Sequence, residues 1–574
     1  MNSLKILLYT LLITFYSLPL FAQVVFVPVE NNVYSFLDRM NIKGVIQLDS
    51  EVKPYSRKYI AEKLIKIDNQ VFTLKKILTK IDRELLEFYI AEYGSEVSRI
   101  LRNYPLSLKT KSSTDFAVLK NNFSTHTLLS KDYWGRIRLL SYDDSLFSFK
   151  FAPIAAYSFS NTGGKSGHKQ TGGLRVDITA SDWFGGSLEI RDNGEFGENV
   201  DTTKYLTPTR GADFVHAPNG IEHSDIRAQI NFNWNWGTIS LKKDYGKWGN
   251  GSFGNVILSD KSPSYPHVYL ELKPVKWFRF YYQFGWLHSG VIDSAKTIVV
   301  NDNDEFYLAH ERFVKKYLTI NMMTVAPWDI FDFSLGNAAV YAGDIRPEMF
   351  IPFNFYKYMD RDTGKKSKED SNGMFFFDLV LRYPQTFKFY ASLFVDVTSI
   401  RDLLNNKTYS TWVGTTVGGR KIDFIVDNLD LTIEYTRTTP WVYEHKYGSL
   451  TDYKHLGYSL GHWIGQNADQ LKIQFDYQPV RGLKTQIYTE MVRKGGLKDI
   501  SEVYDKKSEL PFLYPPIRKD YYFGINAEYE VFHDLFIESK YRYSNISDED
   551  QNRTEQFMLG EKNFFSIGFK YGRF

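Results

Sequence analysis

The chain of 574 residues carries a net charge of +3, contains no cysteine, and is 17% aromatic and 24% charged. The near-neutral balance leaves no electrostatic footprint for a nucleic-acid partner, and the missing thiol excludes disulfides, lipobox lipidation, thiol catalysis and Cys-ligated zinc. With a mean hydropathy of −0.34, so many rings fit side chains that alternate between two environments, as in a transmembrane β-barrel.

The first stretch, MNSLKILLYTLLITFYSLPLFAQVVF, sets Lys5 before an apolar run from Ile6 to Phe21. With Ala22 at the cleavage position, residues 1–22 read as a secretory signal peptide. No later apolar run is long enough for a membrane-spanning helix. Residues 23–110 form a small α-helical domain, expected in the periplasm. Val33, Phe36, Leu37 and Met40 recur at helical spacing before Gly44. Ser56 is an N-cap candidate ahead of Ile60, Leu64 and Ile67, and a third amphipathic run carries Leu74, Leu78, Ile81, Leu85 and Phe88. Residues 111–146 read as a linker or periplasmic ribbon. Its YWGRIRLLSY segment (133–142) resembles a strand that the barrel count does not accommodate.

From residue 147 to 574 the period changes to two. AQINFNWNW places Ala228, Ile230, Phe232, Trp234 and Trp236 on one face, and Gln229, Asn231, Asn233 and Asn235 on the other. QLKIQFDYQ and YFGINAEYEVF alternate likewise. Apolar faces ending in Trp and Tyr opposite charged and amide faces imply lipid outside and water inside. Tight turns such as SDWFG, KPVKW, APWDI, YPQTF and QPVRG alternate with long polar loops at 193–224, 244–266, 289–312, 344–371, 438–468, 494–519 and 546–562. That two-sided arrangement predicts an antiparallel transmembrane barrel of about eighteen strands. Its first strand is SFKFAPIAAYSF and its last FFSIGFKYGRF, with closure expected near Phe149. A β-bulge at Gly572 is expected to return Phe574 to the lipid side, where barrel-assembly machinery would read it.

Few motifs carry chemistry. Gly249, Gly251 and Gly254 match G-x-G-x-x-G, but no helix pattern follows, so a dinucleotide site is disfavoured. His445, His455 and His462 are too widely spaced for a metal site and read as surface residues. No spacing nominates a catalytic triad. No enzyme activity, metal or other cofactor is expected. The loop after residue 243 is richer, combining Asp244, Tyr245, Lys247, Trp248, Asn250 and Asn255 with flexible glycines. Rings of this kind stack on sugars while amides and charges bond hydroxyls. On the residues alone, a solvated loop with interface aromatics is the readier reading.

DYGKWGNGSFGNVILSDKSPSYP resembles the W-G-x-G segment of the Wzi family of capsule-assembly outer-membrane proteins. VYSFLDRMNIKGVIQLDSEVKPYSRKYIAEKL, SLGNAAVYAGDIRPEMFIPFNFY and LGHWIGQNADQLKIQFDYQP are similar to further stretches of that family. The resemblance runs from about residue 28 to the end. It implies an outer-membrane barrel with a periplasmic helical bundle, acting as a non-enzymatic lectin that retains or assembles capsular or surface polysaccharide. On it, the glycan-binding candidates are Tyr245, Trp248, Asn250, Asp344 and Arg346, the last two from GDIRPE. Arg346 would pair with an acidic sugar or, equally, with a lumen carboxylate. The expected partners are polysaccharide, outer-membrane lipid and the assembly machinery. The alternatives are a diffusion channel or a barrel enzyme acting on lipid or glycan.

Overall fold

A computed structural model describes residues 25–70, 77–102, 138–144, 146–181, 183–302, 306–357, 371–396, 412–497, 500 and 510–572. The expected signal peptide and Phe574 lie outside the described residues.

Four helices open the described chain: α1 (Val33–Ile42), α2 (Arg57–Gln70), α3 (Lys80–Glu92) and α4 (Gly94–Arg102). The Ser56 hydroxyl accepts from the Tyr59 N–H at 3.1 Å, as an N-cap should. Sequence periodicity gave three helices. The difference lies at α3 and α4. Thr79 and Asp82 form a reciprocal capping box that starts α3 at Lys80. Gly94, directly after the Tyr93 C-cap, starts the separate α4.

Eighteen antiparallel strands close into a barrel. In chain order they are β1 (Phe147–Thr162), β2 (Lys165–Ala180), β3 (Phe184–Gly197), β4 (Gly220–Trp234), β5 (Gly237–Asp244), β6 (Tyr265–Val275), β7 (Phe278–Ile292), β8 (Phe313–Trp328) and β9 (Phe331–Ala342). They continue with β10 (Ser371–Tyr383), β11 (Phe387–Val395), β12 (Val413–Lys421), β13 (Leu429–Thr438), β14 (Ala468–Val480), β15 (Leu483–Lys494), β16 (Arg518–Phe532), β17 (Leu535–Asp548) and β18 (Gly560–Tyr571). Each strand pairs with its sequence neighbour, and β18 pairs with β1.

Closure differs in register from expectation. β18 runs along the far half of β1, from Phe564 opposite Thr162 to Tyr571 opposite Ala155. The near half, around Phe149, is paired instead with Leu140–Asp143. Tilted strands in a barrel are staggered, so the seam leaves an overhang. Leu140, Ser141 and Tyr142, the end of the segment the strand count could not accommodate, cover part of that open edge; residues 133–137 lie outside the described residues. Gly572 then leaves β18 at φ +103, a conformation suited to glycine.

The alternation has the predicted sense in β4, where Ile230 and Phe232 are exposed while Gln229 and Asn231 are buried. Trp183, Trp236, Trp277, Trp328 and Tyr383 are all exposed beside the short turns, forming a girdle at that end. A closed barrel satisfies its own backbone, and its exposed apolar wall suits hydrocarbon. The molecule is therefore a membrane-spanning barrel.

The helical segment docks into the short-turn end. The Gln385 N–H donates to the Ile42 carbonyl at 2.9 Å, and His533 Nε2 lies 2.8 Å from Glu92. Within the segment, Arg57 Nε of α2 donates to Glu96 of α4 at 2.6 Å. Burial alone would raise the Glu96 carboxyl, but the Arg57 guanidinium outweighs it and holds the pKa at about 2, below the ordinary 4.5. A folded-state pKa below the unfolded one means the pair's stabilisation is complete above pH 4.5 and fades as pH falls toward about 2. Far-UV circular dichroism of thermal melts across that window should show the helical signal losing stability, and Glu96→Gln should weaken the dependence.

Candidate functional site

The loop between β5 and β6 turns into the barrel. Its Lys247–Trp248 step pairs antiparallel with Val52–Lys53 of the helical segment, with Val52 opposite Trp248. The Gly249 N–H donates to the Glu51 carbonyl at 2.7 Å. A loop from one end of the barrel thus meets a segment from the other end inside the lumen.

Wall residues hold this loop by its backbone. Asn250 donates to Asp378 of β10 through its N–H at 3.2 Å and its Nδ2 at 2.6 Å. Glu434 of β13 accepts from the N–H groups of Ser252 (2.6 Å) and Phe253 (3.1 Å), and from the Tyr390 hydroxyl at 2.7 Å. Gly254 packs so tightly on His462 that an added Cβ would lie 2.2 Å from the ring. Gly251 and Gly254 of the G-x-G-x-x-G match thus serve close packing, and Gly249 takes a positive φ of +106. His455 and His462, expected at the surface, are both buried. The loop that carries them also folds inward, where His455 Nδ1 accepts the His288 N–H at 2.9 Å.

Around the loop lies an apolar core inside the barrel. Val256, Ile257, Trp441 and Tyr453 from inward loops pack on Leu318, Ile320 and Met322 of β8 and Phe376 of β10. A wholly polar lumen was the expectation, and this sector reverses it: β8 turns apolar side chains inward because they cover a protein core rather than water. The opposite wall keeps the predicted character. Gln474, Gln486, Asn526 and Arg542, on β14 to β17, remain half-exposed, and Lys540 is exposed.

The five sequence candidates separate into two groups. Trp248 is 1% exposed, so its ring offers no face to a sugar arriving from solvent. Asn250 is buried on Asp378. Tyr245 is buried between two guanidiniums, with Arg210 4.0 Å and Arg227 4.5 Å from its ring centroid. Arg227 in turn pairs with Glu30 at 3.2 Å, so Tyr245 belongs to the junction with the N-terminal segment. Asp344, by contrast, is exposed, and Arg346 is half-buried with its guanidinium 5.4 Å from the Tyr341 ring centroid.

Sequence reasoning missed a ring pair at the long-loop end. Tyr205, 47% exposed, stacks on Tyr458 with ring centroids 4.7 Å apart. Tyr458 is buried, and its hydroxyl donates to the Thr203 carbonyl at 2.8 Å. Asp201 accepts the Thr203 and Lys204 N–H groups at 3.1 and 2.9 Å. Lys261 Nζ donates to the carbonyls of Thr207 at 2.9 Å and Thr209 at 2.6 Å. The exposed ring thus stands on a braced loop. Its two members come from different loops, so no local spacing marks them.

Among solved structures, the chain is similar to Wzi, an outer membrane protein involved in group 1 capsule assembly in Escherichia coli and a carbohydrate-binding β-barrel. The likeness is 12% identity over 96% of this chain and 99% of that one, with a TM-score of 0.53. OprD of Pseudomonas aeruginosa matches at 10% identity over 74% of this chain and 94% of that one, with a TM-score of 0.38. OccAB1 of Acinetobacter baumannii matches at 10% identity over 74% and 95%, with a TM-score of 0.37. No family model and no curated protein matches. At such identity the likeness to Wzi is one of fold.

Proposed function

We propose that the protein is an outer-membrane lectin that binds, and helps retain or assemble, capsular or surface polysaccharide without performing chemistry on it. In this reading the short-turn end and its helices face the periplasm, and the long loops face the cell exterior. Export through a cleaved signal peptide and folding by the barrel-assembly machinery belong to the same proposal.

The observation that carries it is the half-exposed Tyr205 ring, stacked on Tyr458 at the long-loop end of a barrel that holds an apolar core on one side of its lumen. A rigid, half-exposed ring is a stacking platform for a sugar, and braced loops cost little entropy on binding. Asp344 and Arg346 add an acidic and a basic group at an exposed edge. Tyr245, Trp248 and Asn250 enter the proposal as supports that fix the loops from within. Weak contacts repeated along a polymer would supply the avidity.

Retention of the purified barrel on immobilised surface polysaccharide tests this. Tyr205→Ala should weaken retention roughly fivefold, about 1 kcal/mol for one lost stacking ring. Unchanged retention by that variant removes the platform.

A diffusion channel is favoured by one observation, the half-exposed polar wall of β14 to β17. At its short-turn end lies a small cavity of about 70 Å3, lined by Asn32, Phe88, Arg481, Glu528 and His533. Planar-bilayer recording separates the readings: a steady open conductance without glycan retention would establish the channel.

A further inference from the structure

β8 and β9 carry polar side chains on the outer wall. Register places Thr319 opposite Phe284 of β7 and Ala339 of β9, and Asn321 opposite Tyr282 and Asn337. Leu318, Ile320 and Met322 face inward, so Thr319, Asn321 and Asn337 face outward. Uncovered amides there would be costly in hydrocarbon. They are covered by the chain that leaves β9.

After Ala342 that chain passes down the outside of the barrel. Phe350 stacks on Phe284 with ring centroids 4.2 Å apart, and Phe353 stacks on Phe280 at 4.0 Å. Phe280 is three residues beyond Trp277 of the short-turn girdle. With a strand rise of about 3.3 Å tilted by about 40°, Phe353 sits roughly 8 Å above that girdle, inside an apolar band about 25 Å tall.

Irregular backbone in that layer needs its polar groups satisfied. The Met349 carbonyl accepts from the Tyr282 hydroxyl at 2.9 Å and Thr319 at 3.2 Å. Asn321 Nδ2 donates to the carbonyls of Pro352 at 2.7 Å and Asn354 at 2.9 Å. The Tyr356 N–H donates to Asn337 Oδ1 at 2.8 Å, and its hydroxyl donates to the Ile351 carbonyl at 2.9 Å. Pro347 and Pro352 present no N–H at all. From Met349 to Tyr356 no side chain is charged, while Asp344 and Arg346 stand at the upper end, where headgroups would lie.

We propose that residues 349–356 form a strap embedded in the hydrocarbon layer against the outer wall, with lipid acyl chains as its partner. Its outward side chains are apolar: Ile351 is 55% and Phe353 63% exposed. They continue the exposed wall formed by Leu335 of β9 and Phe377 of β10. That continuity selects acyl chains over a protein partner, and it holds whether or not the barrel binds glycan.

The absence of native cysteine permits a clean test. Phe353→Cys, and separately Ile351→Cys, are labelled with a polarity-sensitive fluorophore in the full chain. The labelled protein is reconstituted into phosphatidylcholine vesicles. Bromines on the acyl chains should quench at least half the emission, as at Leu335→Cys on the wall. Aqueous iodide should quench severalfold less than at Asp344→Cys. Loss of acyl-chain quenching at both strap positions overturns the proposal. Strong iodide quenching would then place the strap in water, and disulfide cross-linking of unlabelled Phe353→Cys would place a second copy of the chain on it.

Discussion

Arg39→Ala is expected to free the helical segment from the barrel while leaving the barrel itself closed. Arg39 of α1 is buried and joins three elements at once. Its Nε reaches Asp82 of α3 at 2.9 Å, Nη1 reaches Asp430 of β13 at 2.6 Å, and Nη2 reaches Asp423 in the turn before β13 at 2.5 Å. Removing the guanidinium leaves carboxylates beneath protein with part of their charge uncompensated, and breaking a buried pair this way costs about 3–5 kcal/mol. Lys43 still pairs with Asp82 at 2.7 Å and Asp423 at 3.1 Å, so those two carboxylates keep one cation between them. Arg420 still reaches Asp430 at 2.8 Å, which keeps the wall itself intact. If the whole cost falls on docking, protease cleavage within residues 25–102 should accelerate by a hundredfold or more, since about 1.4 kcal/mol is a factor of ten. Electrophoretic heat-modifiability should still report a folded barrel. Arg39→Lys should recover only part of the protection, because an ammonium cannot repeat the three-way fork. An unchanged cleavage rate in the alanine variant would mean that the segment is held elsewhere, by contacts such as Asp38 to Lys388 at 2.9 Å.

Why some of this was legible in the sequence, and some not, follows from what each side chain faces. Strands such as β4 and β16 meet lipid on one side and a polar interior on the other, so Ile230, Phe232, Phe523 and Ile525 announce their exposure through simple alternation. The strand count and loop positions follow from the same pattern. β8 alternates just as well, in YLTINMMTV, but with the opposite sense. Leu318 and Ile320 face a protein core, and Thr319 and Asn321 face the strap. A period of two reports that a strand has two faces, and cannot report which face meets which medium. Both reversals come from chain folded over the wall, the inward loops on one side and residues 349–356 on the other. Those contacts are remote in sequence, and so are invisible to a local pattern. The candidate residues illustrate the same limit. A Trp beside Gly and Asn in a polar loop fits a sugar platform, until the loop is seen to turn inward. The exposed ring at the mouth, Tyr205, gave no local signal because its partner Tyr458 lies in another loop.

Trp248→Ala separates these two meanings of an aromatic residue in a barrel loop. The Trp248 backbone exchanges bonds with Leu258, donating at 2.9 Å and accepting at 3.4 Å, and its ring stands edge-on to Tyr281 of β7 with centroids 6.3 Å apart. Deleting a buried Trp removes its transfer free energy and leaves a cavity, costing about 3–5 kcal/mol. The cost falls on the joint between the inward loop and Val52 of the helical segment. Hydrogen exchange should therefore rise in 246–258 and 50–54 together, while the β14 to β17 wall is unaffected. Val52→Ala should be less than additive with it, because the two residues share one contact. Glycan retention should fall less than in Tyr205→Ala, since the missing ring never faced solvent. The opposite result has a definite meaning. If Trp248→Ala abolishes retention while the loop keeps its protection, the inward loop must leave the lumen to bind, and Trp248 returns as a glycan contact. A loop tied by Asp378 and Glu434 to two separate strands would have to break both attachments to do so. That gives the reading a further check: Asp378→Asn and Glu434→Gln should then raise glycan affinity, whereas a loop that serves only as a plug predicts no gain.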